Sequence, residues 1–261
     1  MKISERVTVN GDVHLILCNS VSLKIPEGII VTEGNSLTIY GQIHNEGKLI
    51  IQDAKVNHAG IGGGLYETCG TVTINGGDIT VASSKRGAVC GNGADYAVAV
   101  FGGSFTVSGG AISAGAGGSC AVYSDVSPTL SGAPVIEGGV FLDNSDPEGG
   151  DLYIAIDEAL TYAEPVAVDM YNPGVFTRGW SAHMGDADPS GWFAGAGGNW
   201  RLRLDSGEAE LYEPQLYIVG DMFEHGALAF RFPGTGARSP RAIPSPSPSS
   251  RTGATPRRKA E

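Results

Sequence analysis

Thr71-Val72-Thr73-Ile74-Asn75-Gly76-Gly77-Asp78-Ile79-Thr80-Val81 lines up with Ser104-Phe105-Thr106-Val107-Ser108-Gly109-Gly110-Ala111-Ile112-Ser113-Ala114 at an offset of 33 residues. Ala88-Val89 and Ala121-Val122 keep that offset. Leu49-Ile50-Ile51 matches the stretch from Val72 at an offset of 23, and Leu15 and Leu17 recur as Leu37 and Ile39 at 22. A unit of roughly 22–23 residues, lengthened to about 33 where a loop bulges out, belongs to repeat architectures.

Within each unit apolar and polar residues alternate, as in Val72-Thr73-Ile74 and Phe105-Thr106-Val107. That is the period of a strand with one face buried. The strands are expected to end at Asn75-Gly76-Gly77 and Ser108-Gly109-Gly110, where glycine turns a tight corner without a Cβ clash. Helical spacing is absent from residues 1–142. Short strands and tight corners at this period suit one coil of a parallel β-helix, stacked on the next at about 4.8 Å. A leucine-rich repeat has a similar period but needs Leu-x-x-Leu-x-Leu-x-x-Asn, which is missing. The expected fold is therefore all-β, a right-handed parallel β-helix (a solenoid) over residues 3–142. Leu37, Ile39, Leu49, Ile51, Val72, Ile74, Ile79, Phe105, Val107 and Ile112 should point inward.

Residues 143–232 read as a last, enlarged coil and a C-terminal cap. Strands are expected at 152–156, Val166–Met170, 201–204, 216–219 and 228–232. All three tryptophans, Trp180, Trp192 and Trp200, fall here. A solenoid's open end exposes apolar core and backbone edges, so bulky aromatics after the repeats would close it. The same rings, with Tyr171, are also the candidates for stacking on sugars, because aromatic faces suit pyranose rings. Residues 233–261 are rich in Pro, Ser and Arg and bury too little apolar surface to order, so disorder is expected.

Charge narrows the partners. The chain carries −11 at pH 7, but residues 231–261 hold seven of its 17 Lys and Arg against one Glu. Residues 1–230 therefore carry −17, which argues against nucleic acid or an anionic bilayer for that body. No apolar run approaches the ~18 residues of a membrane helix. Glu5 and Arg6 stand where a signal peptide's apolar run would begin. Either the protein is intracellular or this is a fragment of a longer secreted chain. Cys18, Cys69, Cys90 and Cys120 lack CxxC spacing, which disfavours zinc and leaves buried thiols or disulfides open.

Catalytic patterns are missing. There is no Asn-Thr-Asp, Asp-Asp or Gly-His-Gly as in polygalacturonase-like proteins, and Lys85-Arg86 beside Asp95 is the one hint of uronate elimination. His14, His44, His58, His183 and His225 share no ligand or triad spacing, and no Gly-x-Ser-x-Gly elbow occurs. Gly60-Ile61-Gly62-Gly63-Gly64 lacks the Lys-Ser/Thr and the helix of a phosphate loop. Asp143-Asn144-Ser145-Asp146 through Asp151 offers oxygen ligands without EF-hand spacing, so it reads as an acidic turn rather than a calcium site. Phe232-Pro233-Gly234-Thr235-Gly236 echoes a wall-sorting signal but no apolar span follows it. No catalytic residue, metal ligand or cofactor is assigned.

Val13-His14-Leu15-Ile16-Leu17-Cys18, Gly34-Asn35-Ser36-Leu37-Thr38-Ile39-Tyr40-Gly41, Gly47-Lys48-Leu49-Ile50-Ile51, Ala59-Gly60-Ile61-Gly62-Gly63-Gly64 and Gly70-Thr71-Val72-Thr73-Ile74-Asn75-Gly76-Gly77 resemble the glycine-rich β-helix repeats of large bacterial surface proteins. Pro173-Gly174-Val175-Phe176-Thr177-Arg178-Gly179-Trp180 is similar to the segment that follows those repeats. The resemblance spans residues 3–212 and implies a secreted or cell-surface, adhesin-like module. Its expected partner is a glycan or a host or matrix ligand. The alternatives are a polysaccharide lyase or glycoside hydrolase on the same scaffold, and a stalk without ligand.

Overall fold

The computed structural model describes residues 1–52, 59–63, 68–81, 96–100, 102–114, 120–146, 150–161, 164–198, 200–214, 217–218 and 230–231. Lys85, Arg86 and Asp95, with Cys90, His58, His225, Gly64 and residues 232–261, lie outside them. The chain divides into two compact units, Met1–Glu213 and Pro214–Glu261. In the second, Tyr217–Ile218 pairs antiparallel with Phe230–Arg231.

The first unit is all-β and built on two parallel sheets. One has eight strands, in the order Val7–Thr8, Ile29–Ile30, Ile61–Gly62, Tyr96–Val100, Cys120–Ser124, Val140–Leu142, Val166–Met170 and Phe193–Gly195. The spine of the other runs through Asp12–Leu17, Ser36–Gly41, Thr71–Val81, Ser104–Ala114, Thr129–Gly132, Ile154–Leu160 and Thr177–Arg178. Ser22–Lys24 and Lys48–Ile51 join this second sheet along the far half of Thr71–Val81, and Val135–Glu137 joins along Ser104–Ala114. Neighbours along each spine follow chain order, and the chain moves back and forth between the sheets.

Alternation decides which side chains meet. Leu15, Ile39, Ile74, Val107, Leu130 and Ile156 stand in register across six strands of the ten-stranded sheet. Val13, Leu37, Val72 and Phe105 form a parallel row beside them. All ten residues expected to point inward are buried, none more than 1% exposed. Like side chains stack at the strand spacing of about 4.8 Å, so each row is a continuous apolar wall.

The 33-residue offset is a backbone pairing, Thr71 to Ser104 and Val72 to Phe105 among others. The shorter offsets need correction. Leu15 pairs with Ile39 and Val13 with Leu37, an offset of 24 rather than 22. A slip of two residues leaves every side chain on its own face, so the apolar pattern cannot tell the two apart. Leu49 pairs with Ile79, 30 residues on, and not with Val72. The glycine corners also differ from expectation. The strands do not end there: Thr71–Val81 and Ser104–Ala114 each run on as one element, while Gly76, Gly77 and Gly110 drop out of the pairing, with register shifts on either side of Gly109. Gly110 takes φ +79°, and a Cβ there would stand 2.6 Å from the Gly77 carbonyl oxygen.

Around the last strand of each sheet the aromatic residues gather. Phe176, Trp180 and Phe193 are buried, with Phe176 and Phe193 edge to face at 5.2 Å. The short helix Trp180–Met184 and the antiparallel hairpin of Arg201–Asp205 and Glu208–Tyr212 complete the unit. Among the cysteines, Cys69 and Cys120 are buried, and Cys18 is exposed just past its strand, which places it outside the core.

Candidate functional site

Two turns and one strand end build a cleft of about 610 Å³ near the aromatic end of the first unit. One turn follows Val140–Leu142, and the next follows Val166–Met170. Because their strands pair in register, the turns are brought side by side, and asparagine fixes them. The Asn172 backbone N–H donates to Asn144 Oδ1 at 2.7 Å. Asn144 Nδ2 donates to the Asn172 carbonyl at 2.7 Å, and Asn172 Nδ2 donates to the Asn144 carbonyl at 2.9 Å.

Tyr153 and Arg178 form the planar part of the wall. The Arg178 guanidinium lies 3.8 Å from the Tyr153 ring centroid and donates from Nη1 to its hydroxyl at 2.8 Å. Register explains the meeting, since Ala155 pairs with Arg178 on adjacent strands. Arg178 is exposed and Tyr153 half-buried. An oriented guanidinium on an aromatic face offers fixed donors and a flat surface to a hydroxyl-rich ligand.

Glu208 also lines the cleft, but its oxygens are already engaged. They accept from Thr177 Oγ1 at 2.9 Å, from the Gly179 N–H at 2.9 Å and from the Trp180 N–H at 3.0 Å. That set fastens the hairpin to the last strand of the ten-stranded sheet. Asp143 is engaged as well, accepting from the Tyr123 hydroxyl and from the Ser145 N–H at 3.2 Å. Asp146 and Asp151 add acidity to the rim. Among the described residues, no group of three or more His, Cys, Asp or Glu side chains is placed to hold a metal ion.

The four aromatic candidates are not equivalent. Trp180 has no exposed surface; it packs edge to face on Trp192 at 5.7 Å, and its Nε1 donates to the Ala187 carbonyl. Trp192 is half-buried and donates from Nε1 to the Leu160 carbonyl at 3.0 Å. Trp200 packs half-buried against the core. Tyr171 alone is well exposed, at 64%, one residue before Asn172. The structure thus brings Trp180 and Trp192 together inside and leaves Tyr171 outside. Asn144, Tyr153, Asn172 and Arg178 carry no local sequence signature; a recurrence of asparagine at the same point of two successive turns is the one trace. No family model, no curated protein and no solved structure matches this chain.

Proposed function

We propose that the chain is a non-enzymatic, adhesin-like module of a secreted or cell-surface protein that binds carbohydrate or a matrix ligand on a right-handed parallel β-helix. Two parallel sheets with neighbours in chain order support the coil, and the strong preference of parallel crossovers for the right hand supports its handedness. The observation that carries the binding reading is the Arg178–Tyr153 stack, held open beside the Asn144–Asn172 clamp. Planar faces with a few oriented polar groups are what recognition of hydroxyl-rich rings requires.

A glycan array with the full chain tests this reading. Binding without turnover supports it. Release of reducing ends or unsaturated uronates would make the chain a β-helix enzyme, and silence across the array would leave a stalk.

A further inference from the structure

Outward from the ten-stranded sheet, the register lines up a second kind of row. His14, Thr38, Thr73, Thr106, Thr129, Ala155 and Arg178 are successive partners across seven strands. Beside it run Asp12, Ser36, Thr71 and Ser104, again partner to partner. Between its ends the strip is neutral, on a body that is strongly acidic overall.

The two rows treat their hydroxyls differently. In the serine-rich row they bond along the row, Ser104 Oγ to Thr71 Oγ1 at 3.1 Å and Ser36 Oγ to the Asp12 carboxylate. Among the described residues, the hydroxyls of Thr38, Thr73, Thr106 and Thr129 make no such bond. Four half-buried threonines therefore present methyls and open hydroxyls at the strand spacing of ~4.8 Å. Planar groups bracket the row. His14 stacks on Tyr40 at 5.8 Å at one end, and Arg178 lies on Tyr153 at the other.

We infer that this strip is a binding track for a neutral, extended β-1,4-linked polysaccharide lying across the strands, with its end in the Arg178–Tyr153 cleft. The inference rests on the carbohydrate-binding reading above and gives it a direction and a ligand class. The rise of one ring in such a chain is close to the strand spacing, and each ring is turned over relative to the one before, so every second sugar meets every second threonine in the same way. Ring faces cover threonine methyls, and equatorial hydroxyls exchange hydrogen bonds with Oγ1 atoms that have no other partner among the described residues. A charged polymer would find no counter-charge along the strip, which selects a neutral one.

The test uses the full chain and a length series of cello-oligosaccharides, read by isothermal titration calorimetry. Affinity should climb ring by ring and level off once the oligosaccharide spans His14 to Arg178, six strand steps or ~29 Å. The double variant Thr73→Val, Thr106→Val keeps shape and strand propensity, and should weaken the longest oligosaccharide roughly tenfold. Thr80→Val, outward on the same sheet but off the strip, should change nothing. Binding lost in Tyr153→Ala yet indifferent to the double threonine variant would overturn the track and leave the cleft reading standing. No binding of any cello-oligosaccharide by the unaltered chain, while other glycans bind, would overturn the ligand class. Silence toward every glycan would overturn both readings.

Discussion

Asn144 and Asn172, 28 residues apart in the chain, exchange three hydrogen bonds of 2.7–2.9 Å and tie two successive turns into one rim. Each side-chain amide satisfies backbone groups of the other turn, so neither turn can move without the other. Asn144→Asp keeps the acceptor for the Asn172 N–H but deletes the donor to its carbonyl. It should lower stability by about 1 kcal/mol and increase hydrogen exchange at Asn172, as NMR would register. Unchanged exchange there would show that the clamp does not hold the turn.

Glu208 gathers three donors from the segment that leads into the helix Trp180–Met184. Glu208→Ala strands two backbone N–H groups and one hydroxyl, and should cost about 2–4 kcal/mol in urea unfolding. Glu208→Gln retains acceptor oxygen and should cost less. Equal losses in both variants would point to charge rather than acceptor geometry.

Ile74 sits mid-row between Ile39 and Val107 with no exposed surface. Ile74→Asp would place a carboxylate where no partner can reach it, a change worth several kcal/mol. The variant should lack the native circular dichroism spectrum. Thr73→Asp, one residue away but outward, should fold.

Two glycines with nearly equal torsions should respond unequally to alanine. Gly34 has φ +78° and no heavy atom within 4 Å of where a Cβ would stand, whereas Gly110 has φ +79° and the Gly77 carbonyl oxygen at 2.6 Å. Gly34→Ala should lose about 1–2 kcal/mol from backbone strain alone. Gly110→Ala adds a clash with backbone that cannot rotate away, so its melting temperature should fall clearly further.

Thiol chemistry separates the cysteines. Burial pushes the Cys120 thiol up to about 12, with the Asp169 charge adding to the rise and a backbone hydrogen bond from Phe141 opposing it. At pH 8 it stays protonated and enclosed, while Cys18 is open to reagent. Peptide mapping after brief alkylation should find Cys18 modified well before Cys120. Matched rates would mean that the core around Cys120 opens readily.

How much of this was legible from residues alone follows from what each feature needs. Val72-Thr73-Ile74 and Phe105-Thr106-Val107 announce strands with one buried face, and all ten inward residues follow from that alternation. The pairing of Thr71 with Ser104 was legible because the two strands match residue for residue. The pairing of Leu15 with Ile39 was not, because Leu, Ile and Val are interchangeable at even shifts and only backbone hydrogen bonds break the tie. The cleft escaped for a different reason. Tyr153 and Arg178 meet through the stacking of strands 25 residues apart in the chain, and nothing near either residue signals the other. The threonine row was in plain view as the polar half of the alternation, but a row exists only once the register is known.

The three tryptophans all lie between residues 180 and 200, and Trp180 is enclosed by Trp192 and Phe193 at 5.7 and 5.9 Å. The first unit's tryptophan fluorescence, excited on the red side of tyrosine absorption, is thus a local gauge: it reports on the aromatic end and carries no direct signal from the strands between Val7 and Leu142. Far-ultraviolet dichroism averages over all of them. Recording both during one thermal ramp would show which end of the stack lets go first, with no label attached.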